Sequence, residues 1–292
     1  RAVLVVDAHS AAVPWELLLA EDPAIGPAEP LALRMPLVRQ LASSSFRRQV
    51  RRSPGQAALV IGNPSTLTRS GQGSGDPLEP LPEAAEEATQ IHRLLQDCGQ
   101  ASTLLVGEEA LAGRVLRQLH ARPLHLLHVS AHGRLPDGPG GRCGVMLSDD
   151  LMLTAIEIGA MDPVPELVFL NCCHLGRLDD GRTTPPQRAA SLAQTLIDIG
   201  VRCVLVAGWA VSDAGAAQFG TTFYRELLQH GQPFGEAVFR ARQSARERAL
   251  AGDLSWGAFQ AYGDPAWTAV RPARPSAPVR IRSAPAAGRP RR

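Results

Sequence analysis

The sequence predicts an α/β fold in which helices cover both faces of a mainly parallel β-sheet. Short apolar runs recur along the chain, and their nearly continuous hydrophobicity is typical of strands that are buried on both faces. Helical patterns lie between several of these runs, which favours parallel strands joined by right-handed crossovers. The predicted strands are Ala2 to Val6, Ala57 to Ile61, Ser102 to Val106, Leu124 to Ser130, Glu166 to Asn171 and Val201 to Ala207.

Helical spacing and stop signals predict the helices. In the first helix the apolar residues recur on one stripe, as in a helix that packs against a sheet. Gly200 is predicted to follow the C-terminus of the third helix and to lead directly into the last predicted strand. The predicted helices are Glu83 to Gln96, Glu109 to His120, Ala189 to Ile199, Ala214 to Gln229 and Phe234 to Ala249. Two segments rich in Gly, Pro and polar residues are predicted surface loops: Ser70 to Pro82 and Leu135 to Arg142.

The composition bounds the class of protein. With 292 residues and 45% hydrophobic content, the chain can bury one large core or two modest ones. No apolar run approaches the roughly 18 to 20 residues needed to cross a bilayer, so no membrane association is expected. The chain starts at Arg1 without a signal-peptide pattern, which indicates a part of a longer protein. Five cysteines without a C-x-x-C pair argue against a disulfide framework and favour a reducing, cytoplasmic location.

The formal net charge of +2 hides an uneven distribution. Residues 271–292 contain seven arginines and no acidic residue, so the rest of the chain is net acidic. This Arg/Pro/Ala-rich tail is predicted to be disordered. The body of the chain shows no basic face interleaved with aromatic residues, and nucleic-acid binding by the domain itself is therefore not expected.

Two apolar runs end abruptly in reactive side chains. The run from Leu126 leads into His132 and Gly133, and the run from Val168 leads into Cys173. An imidazole can take the proton of a thiol and so make it a nucleophile. The N–H groups of Gly133 and Cys173 are candidate donors to a developing oxyanion, and glycine lets a substrate carbonyl approach the backbone. A Cys–His dyad is one interpretation of this pair.

Other interpretations of the same residues remain open at this point. Cysteine is among the most buried residue types, and a histidine at a strand end is often only a satisfied polar group. A zinc site that includes His128 and His132 is disfavoured, because four residues along a strand separate them by roughly 13 Å. The segment Gly62 to Ser65 follows a strand, but it lacks the glycine and lysine pattern of a nucleotide-binding phosphate loop.

An ordered series of motifs resembles the CHAT domain, a bacterial relative of caspases and separases among the cysteine peptidases. The motifs are Pro14 to Leu18, Ile61 to Pro64, the helix with Glu83, Glu86 and Glu87, His132-Gly133, Leu153 to Ile158, Leu170 to Cys173, Gly208 to Asp213, Phe223 to Leu227, Gly231, Glu236-Ala237, Ala241-Arg242, Trp256 to Phe259 and Gly263 to Pro265. The resemblance implies a caspase-like three-layer α/β/α sandwich over residues 1–270, followed by the tail 271–292.

The resemblance also implies a role for each residue of the dyad. Cys173 would be the nucleophile, His132 the general base and then acid, and the N–H groups of Gly133 and Cys173 the oxyanion donors. Cys172 fills the position before the nucleophile, where relatives usually carry a small residue. His174 departs from the pattern, since relatives commonly have Glu there. The chemistry needs no cofactor and no metal.

Asp213 is the candidate for substrate selection. Separases have a similar Trp-x-Val-x-Asp segment, in which the aspartate lines the pocket for a basic side chain on the residue before the cleaved bond (P1). A carboxylate there would bind an arginine guanidinium through paired hydrogen bonds. The other interpretation is a cap on the helix predicted from Ala214, a role that Asp213 or the neighbouring Ser212 would fill, and the two roles are compatible.

The resemblance implies a peptidase that acts on a protein substrate and is regulated by the parent chain or by a partner protein. If Asp213 selects arginine, the segment from Gly176 to Arg188 is a candidate for self-cleavage at Arg177, Arg182 or Arg188. The pairs Arg47-Arg48 and Arg51-Arg52 are weaker candidates. A CHAT-fold interaction module with little or no activity is the alternative function.

Overall fold

The computed structural model of the chain describes residues 1–7, 9–22, 26–42, 53, 55–67, 78–134, 143–172 and 185–269. Among these residues, eight strands form one large sheet, three form a small sheet and two form a hairpin. The strands of the large sheet are β1 (Ala2–Val6), β4 (Leu37–Leu41), β5 (Ala57–Pro64), β6 (Ala101–Gly107), β7 (Leu124–Ser130), β11 (Leu167–Asn171), β12 (Cys203–Ala207) and β13 (Phe259–Gly263). The small sheet contains β8 (Gly133–Arg134), β9 (Gly144–Met146) and β10 (Met152–Thr154), and the hairpin contains β2 (Leu19–Asp22) and β3 (Gly26–Pro30).

Helices connect and cover these strands. The α-helices of the described residues are α1 (Leu31–Arg34), α2 (Pro82–Asp97), α3 (Ala112–Ala121), α4 (Ala155–Gly159), α5 (Pro185–Asp198), α6 (Asp213–Tyr224), α7 (Phe234–Arg248) and α8 (Ser255–Ala258). A π-helical turn, Arg225–Gln229, extends α6, and two 3₁₀ turns, Ser10–Ala12 and Trp15–Leu17, follow β1.

The large sheet is mainly parallel. Its strand order is β1-β4-β13-β12-β11-β7-β5-β6, and every neighbouring pair is parallel except β12 with β13. The five strands from β12 to β6 therefore run in one direction and the other three run in the opposite direction. The carboxyl ends of the five strands from β12 to β6 lie at one edge of the sheet, which is where open α/β sheets place functional groups.

Two hydrophobic cores make the molecule a three-layer sandwich, because alternate strand residues point to opposite faces of the sheet. One face, here the α5 face, packs Val129 and Leu170 against residues of α3, α4 and α5. The other, the α2 face, packs Phe169 against Phe219 of α6 and residues of α2 and α7. Helices on both faces explain why the strands are apolar throughout, as the sequence analysis predicts.

A buried ionic cluster joins the start of the chain to this frame. Both Arg39 of β4 and Arg242 of α7 bond the carboxylate of Glu16, and all three side chains are fully buried. Burial lowers the pKa of Arg242 to about 10, with the neighbouring Arg39 acting in the same direction and Glu16 against it. Arg242 also donates to the carbonyls of Leu37 and Phe259 at 2.9 Å, so the cluster ties β4 and β13 to α7.

The six predicted strands and five predicted helices are all present, with shifts at their ends. Gly200 has a positive φ of 112° after α5, as predicted for a helix C-terminus. The predicted loop Leu135 to Arg142 and the predicted tail 271–292 lie outside the described residues. Of the loop Ser70 to Pro82, residues 78–81 are described without helix or strand, and Pro82 begins α2.

Candidate active site

The strands β7 and β11 end level with each other at the carboxyl edge of the sheet. Ser130 lies opposite Asn171 in their parallel register, and the Ala131 N–H donates to the Asn171 carbonyl at 3.1 Å. His132 is two residues beyond Ser130. Cys172 directly follows Asn171 and is the last described residue of this segment, so Cys173 and His174 lie outside the described residues.

The alternation of the two strands assigns each side chain at this edge to a face of the sheet. Ala131 and Cys172 belong to the core on the α5 face, and Cys172 is only 2% exposed. Ser130 and Asn171 point to the α2 face, where both bond to Glu87 of α2. Cys172 is therefore the small buried residue that the sequence analysis expects at its position.

His132 is half-buried and is held by the chain that leads into α2. Its Nε2 lies 2.6 Å from the main-chain carbonyl oxygen of Glu79. A carbonyl oxygen can only accept a hydrogen bond, so Nε2 carries the hydrogen. In the neutral ring the lone pair is then on Nδ1, so Nδ1 is the nitrogen that can act as a base.

Gly133 begins the small sheet, and the pairing geometry fixes the direction of its N–H. Gly133 lies opposite Val145 in the antiparallel pair of β8 and β9, and the Met146 N–H donates to the His132 carbonyl at 2.9 Å. His132 and Met146 therefore form a hydrogen-bonded pair of the antiparallel ladder, and Gly133 and Val145 form a non-hydrogen-bonded pair. Because hydrogen-bonded and non-hydrogen-bonded pairs alternate, the N–H of Gly133 is directed away from β9.

A buried polar network lies beneath the two strand ends. One oxygen of the Glu87 carboxylate, Oε2, accepts hydrogen bonds from Ser130 Oγ and from Asn171 Nδ2, each at 2.8 Å. The other oxygen, Oε1, is 3.5 Å from Nε2 of His128. His128 itself is buried, stacks on Phe169 and lies 3.3 Å through Nδ1 from the Tyr224 hydroxyl.

Two residues at the end of β5 bring α2 close to this network. A Cβ on Gly62 would lie 2.4 Å from the Cβ of Ala88, so glycine is required where α2 crosses the strand. Asn63 Oδ1 accepts a hydrogen bond from the Leu81 N–H at 3.0 Å and holds the segment that enters α2. This is a structural use of the segment considered above as a phosphate loop.

Asp213 is the first residue of α6, and the cap of this helix is Ser212. The Ser212 hydroxyl accepts from the Gly215 N–H at 3.2 Å and donates to Asp253 at 2.8 Å. Partial burial raises the pKa of Asp213, and the charges of Glu83 and Glu87 raise it further. The Asp213 carboxylate is therefore close enough to Glu83 and Glu87 of α2 to be affected by their charges. The cap considered in the sequence analysis is present, and Ser212 rather than Asp213 supplies it.

The arginine candidates for self-cleavage divide into two groups. Arg188 lies in α5 and is only 6% exposed, so it is wrong as a cleavage site, because a protease needs an accessible extended segment. The others, Arg177, Arg182, Arg47-Arg48 and Arg51-Arg52, lie outside the described residues.

Comparison with known protein families gives one assignment. A family model described as the CHAT domain matches residues 1–264. The chain belongs to the CHAT domain family. A comparison of this CHAT domain with curated protein sequences gives no match.

Solved structures with a similar fold are cysteine proteinases and separase. Gingipain R (RgpB), an Arg-specific cysteine proteinase, matches with a TM-score of 0.54 and 12% identity over 80% of this chain and 55% of its own. The complex of Porphyromonas gingivalis RgpB pro- and mature domains gives a TM-score of 0.52 and 11% identity over 80% of this chain and 56% of its own. Saccharomyces cerevisiae separase, in its complex with securin, gives 0.51 and 17% over 89% of this chain and 15% of its own.

These matches show the fold of the CHAT domain. Its mainly parallel sheet between two helical layers is caspase-like, as the resemblance predicts. The chain spans little more than half of the gingipain chain and a small part of the separase chain. In the described part of the chain, no helix combines the length and apolar character needed to cross a membrane.

Sequence reasoning missed four features of this site. The contact from Glu79 is made by a main-chain carbonyl, which leaves no trace in residue type. Ser130 and Asn171 are ordinary polar residues at strand ends. For Glu87 the sequence does give an indication: it lies three residues after Ala84, beside the apolar stripe of α2, and a carboxylate at such a position is unusual.

Proposed function

We propose that this CHAT domain is a cysteine endopeptidase in which Cys173 is the nucleophile and His132 the general base. The observation that carries the proposal is the level ending of β7 and β11, with the His132 ring held by Glu79. Cys173 is covalently attached to Cys172, whose side chain takes the α5 face. In this proposal Cys173 would continue the strand alternation and share the α2 face with Ser130, opposite to Cys172.

The hydrogen bond to Glu79 supports Nδ1 as the nitrogen of His132 that acts in the proposed reaction. Nδ1 of His132 takes the thiol proton, and the Cys173 sulfur attacks the carbonyl carbon of the scissile bond. The C–N bond then breaks as His132 returns the proton to the leaving amine, which leaves a thioester. Water attacks this thioester while His132 accepts its proton, and the acid product and the thiol are released.

Gly133 would supply one oxyanion donor and the Cys173 N–H the other. The direction of the Gly133 N–H, away from β9, supports this role, because a donor engaged in the β-ladder would not reach a substrate. No cofactor takes part in these steps.

The proposed specificity is cleavage after arginine. The side-chain cap of α6 is Ser212, and the Asp213 carboxylate in the first turn is affected by the negative charges of Glu83 and Glu87. A guanidinium would relieve the repulsion among these carboxylates, whereas an acidic side chain would increase it. The Arg specificity of gingipain R, which shares the fold, is consistent with this proposal.

The substrate would be a protein, and the activity would belong to a larger regulated bacterial protein. Separase has been solved in complex with securin, which illustrates that a protein of this fold is bound by a partner. We propose a regulatory or sensor region in the parent chain or in a partner. The domain would comprise residues 1–270, with 271–292 as a tail.

A covalent probe tests the proposal directly. The full chain is incubated with a peptide that carries arginine at P1 and a thiol-reactive acyloxymethyl ketone, and intact mass is measured. We expect one adduct in the wild type, none in Cys173→Ala, and slower labelling in His132→Ala. An adduct that persists in Cys173→Ala, or no adduct in the wild type, overturns the proposal and favours the interaction module.

A further inference from the structure

We infer that Glu87 is a positioning residue that locks the ends of β7 and β11 together and so sets the separation of His132 and Cys173. The inference rests on the proposed function and adds a determinant of its rate. Its basis is a single carboxylate oxygen that accepts hydrogen bonds from both strands, through Ser130 and Asn171.

The three side chains form a closed triangle. Asn171 Nδ2 is 2.8 Å from Glu87 Oε2 and 3.2 Å from Ser130 Oγ, and Ser130 Oγ is 2.8 Å from the same Oε2. Ser130 and Asn171 are register partners on adjacent strands. Each strand end is therefore fixed both to its neighbour and to a third element, α2.

Burial makes this lock rigid. Glu87 is 3% exposed, and in the low dielectric of the interior a hydrogen bond to a carboxylate is stronger than in water. The helix that carries Glu87 packs closely on β5 at Gly62, where a Cβ would clash with the side chain of Ala88. On the far side α6 packs next to the carboxylate, since a Cβ on Gly220 would be in van der Waals contact with Glu87 Oε1 at 3.5 Å.

The hydrogen bonds to Glu87 are close in sequence to the two residues of the proposed dyad. Ser130 is two residues before His132, and Asn171 is two residues before Cys173. A misplacement of about 1 Å between reacting groups costs on the order of 100-fold in rate. Removal of Glu87 would delete the hydrogen bonds that hold the ends of β7 and β11 together. The distance between the reacting groups of His132 and Cys173 would then be less well fixed.

The chain offers a matched control at the opposite end of the same two strands. Glu166 directly precedes β11, and its carboxylate lies 3.5 Å from His125 Nδ1 of β7. It accepts hydrogen bonds from the Trp267 indole at 2.9 Å and the Ser53 N–H at 3.1 Å, and it is also 3% exposed. Glu166→Ala thus removes an equally buried carboxylate of the same sheet without touching the carboxyl edge.

The test compares Glu87→Ala, Glu87→Gln and Glu166→Ala in the full chain. Tm, kcat and KM are measured with a fluorogenic peptide that carries arginine at P1, and alkylation of Cys173 by iodoacetamide is followed by peptide mass mapping. We expect Glu87→Ala to lower kcat by roughly 10- to 100-fold and to leave KM within about 2-fold. Glu87→Gln, which keeps an oxygen acceptor, should stay within about 5-fold of wild-type kcat.

Glu166→Ala should lower Tm and leave kcat near wild type at temperatures below unfolding. Equal losses of kcat in Glu87→Ala and Glu166→Ala, or a normal kcat in Glu87→Ala, overturn the inference. If Glu87→Ala does not fold, Ser130→Ala and Asn171→Ala are used instead, since each removes one of the two hydrogen bonds to Glu87. A normal kcat in both variants also overturns the inference. A wild type that neither cleaves nor alkylates at Cys173 instead overturns the proposed function.

Discussion

The main-chain N–H of Ala131 donates to the carbonyl of Asn171 at 3.1 Å. This bond continues the parallel pairing of β7 and β11 by one residue beyond Ser130, up to the residue before His132. The strand ends are therefore adjacent before any side chain is considered. Cys172 enters the core on the α5 face, which leaves Cys173 as the proposed nucleophile.

Cys172→Ala should lower stability and spare the chemistry. The thiol of Cys172 is buried in the core, and its removal should cost about 1 kcal/mol of unfolding free energy, a typical value for a single core change. Labelling at Cys173 by the arginyl probe should continue at the wild-type rate below the unfolding transition. Urea unfolding and intact mass measure the two effects, and loss of labelling in the well-folded variant would contradict the assignment.

Asp213→Asn should lose activity without losing stability. A hydrogen bond to a charged group is worth about 1.5–3 kcal/mol, so kcat/KM for an arginyl peptide should fall roughly 10- to 100-fold. Because partial burial and then the neighbouring carboxylates raise the pKa of Asp213, its charge is disfavoured in the folded protein, and Tm should stay equal or rise. The adjacent Ser212→Ala is the control: it removes the cap of α6, should cost about 1 kcal/mol and should lower Tm.

The same pKa shift predicts a pH dependence of substrate binding. As the pH falls, Asp213 takes up its proton at a higher pH than an ordinary aspartate with a pKa of 3.8. The KM for an arginyl peptide should therefore rise on acidification while the Asp213 charge is being lost. A matched peptide with citrulline at P1, which has arginine's shape without its charge, should show a smaller rise. An equal rise in KM for both peptides would contradict the proposal that Asp213 lines the pocket for the P1 side chain.

Glu16→Gln should be strongly destabilising. It leaves Arg39 and Arg242 buried side by side without a counter-charge, and breaking a buried ion pair in this way typically costs about 3–5 kcal/mol. The surface pair Glu236–Arg240, one turn apart on α7, provides the contrast, since Glu236→Gln should cost at most about 0.5 kcal/mol. Urea unfolding curves of the two variants check this, and similar losses would contradict the importance assigned to the cluster.

Self-cleavage should occur only when Cys173 is intact. If the chain cleaves after Arg177 or Arg182, intact mass after incubation should show two fragments for the wild type and one full-length species for Cys173→Ala. Arg188→Ala should behave as the wild type, because Arg188 is buried within α5. A wild type that stays whole after activation by its partner contradicts self-processing.

Much of the fold was predictable because its central strands have an unambiguous pattern. β5, β7, β11 and β12 are buried on both faces, so their apolar runs identify them directly. β4 and β13 were missed for a physical reason: Arg39, Gln260 and Tyr262 interrupt the apolar runs. Arg39 is tolerated in the sheet because it bonds to Glu16, a contact between segments 23 residues apart that no local pattern encodes. On β13 the Tyr262 hydroxyl donates to Gln260 Oε1, two residues away on the same strand.

The candidate site was predictable only in its reactive residues. His132, Gly133 and Asp213 stand out by type and position: the first two follow β7, and Asp213 begins the helix that follows β12. The groups that orient them do not stand out. Glu79 acts through its backbone, and the pairing of Glu87 with Ser130 and Asn171 joins segments more than 40 residues apart, which no local pattern encodes.

A crystal structure of the full chain with the arginyl probe bound gives the most direct measurement of the central claim. We predict a thioether at the Cys173 sulfur, with that sulfur within about 4 Å of His132 Nδ1 and the P1 guanidinium on the carboxylate of Asp213. A sulfur on the α5 face beside Ala131, or a probe attached to Cys172, would contradict the account.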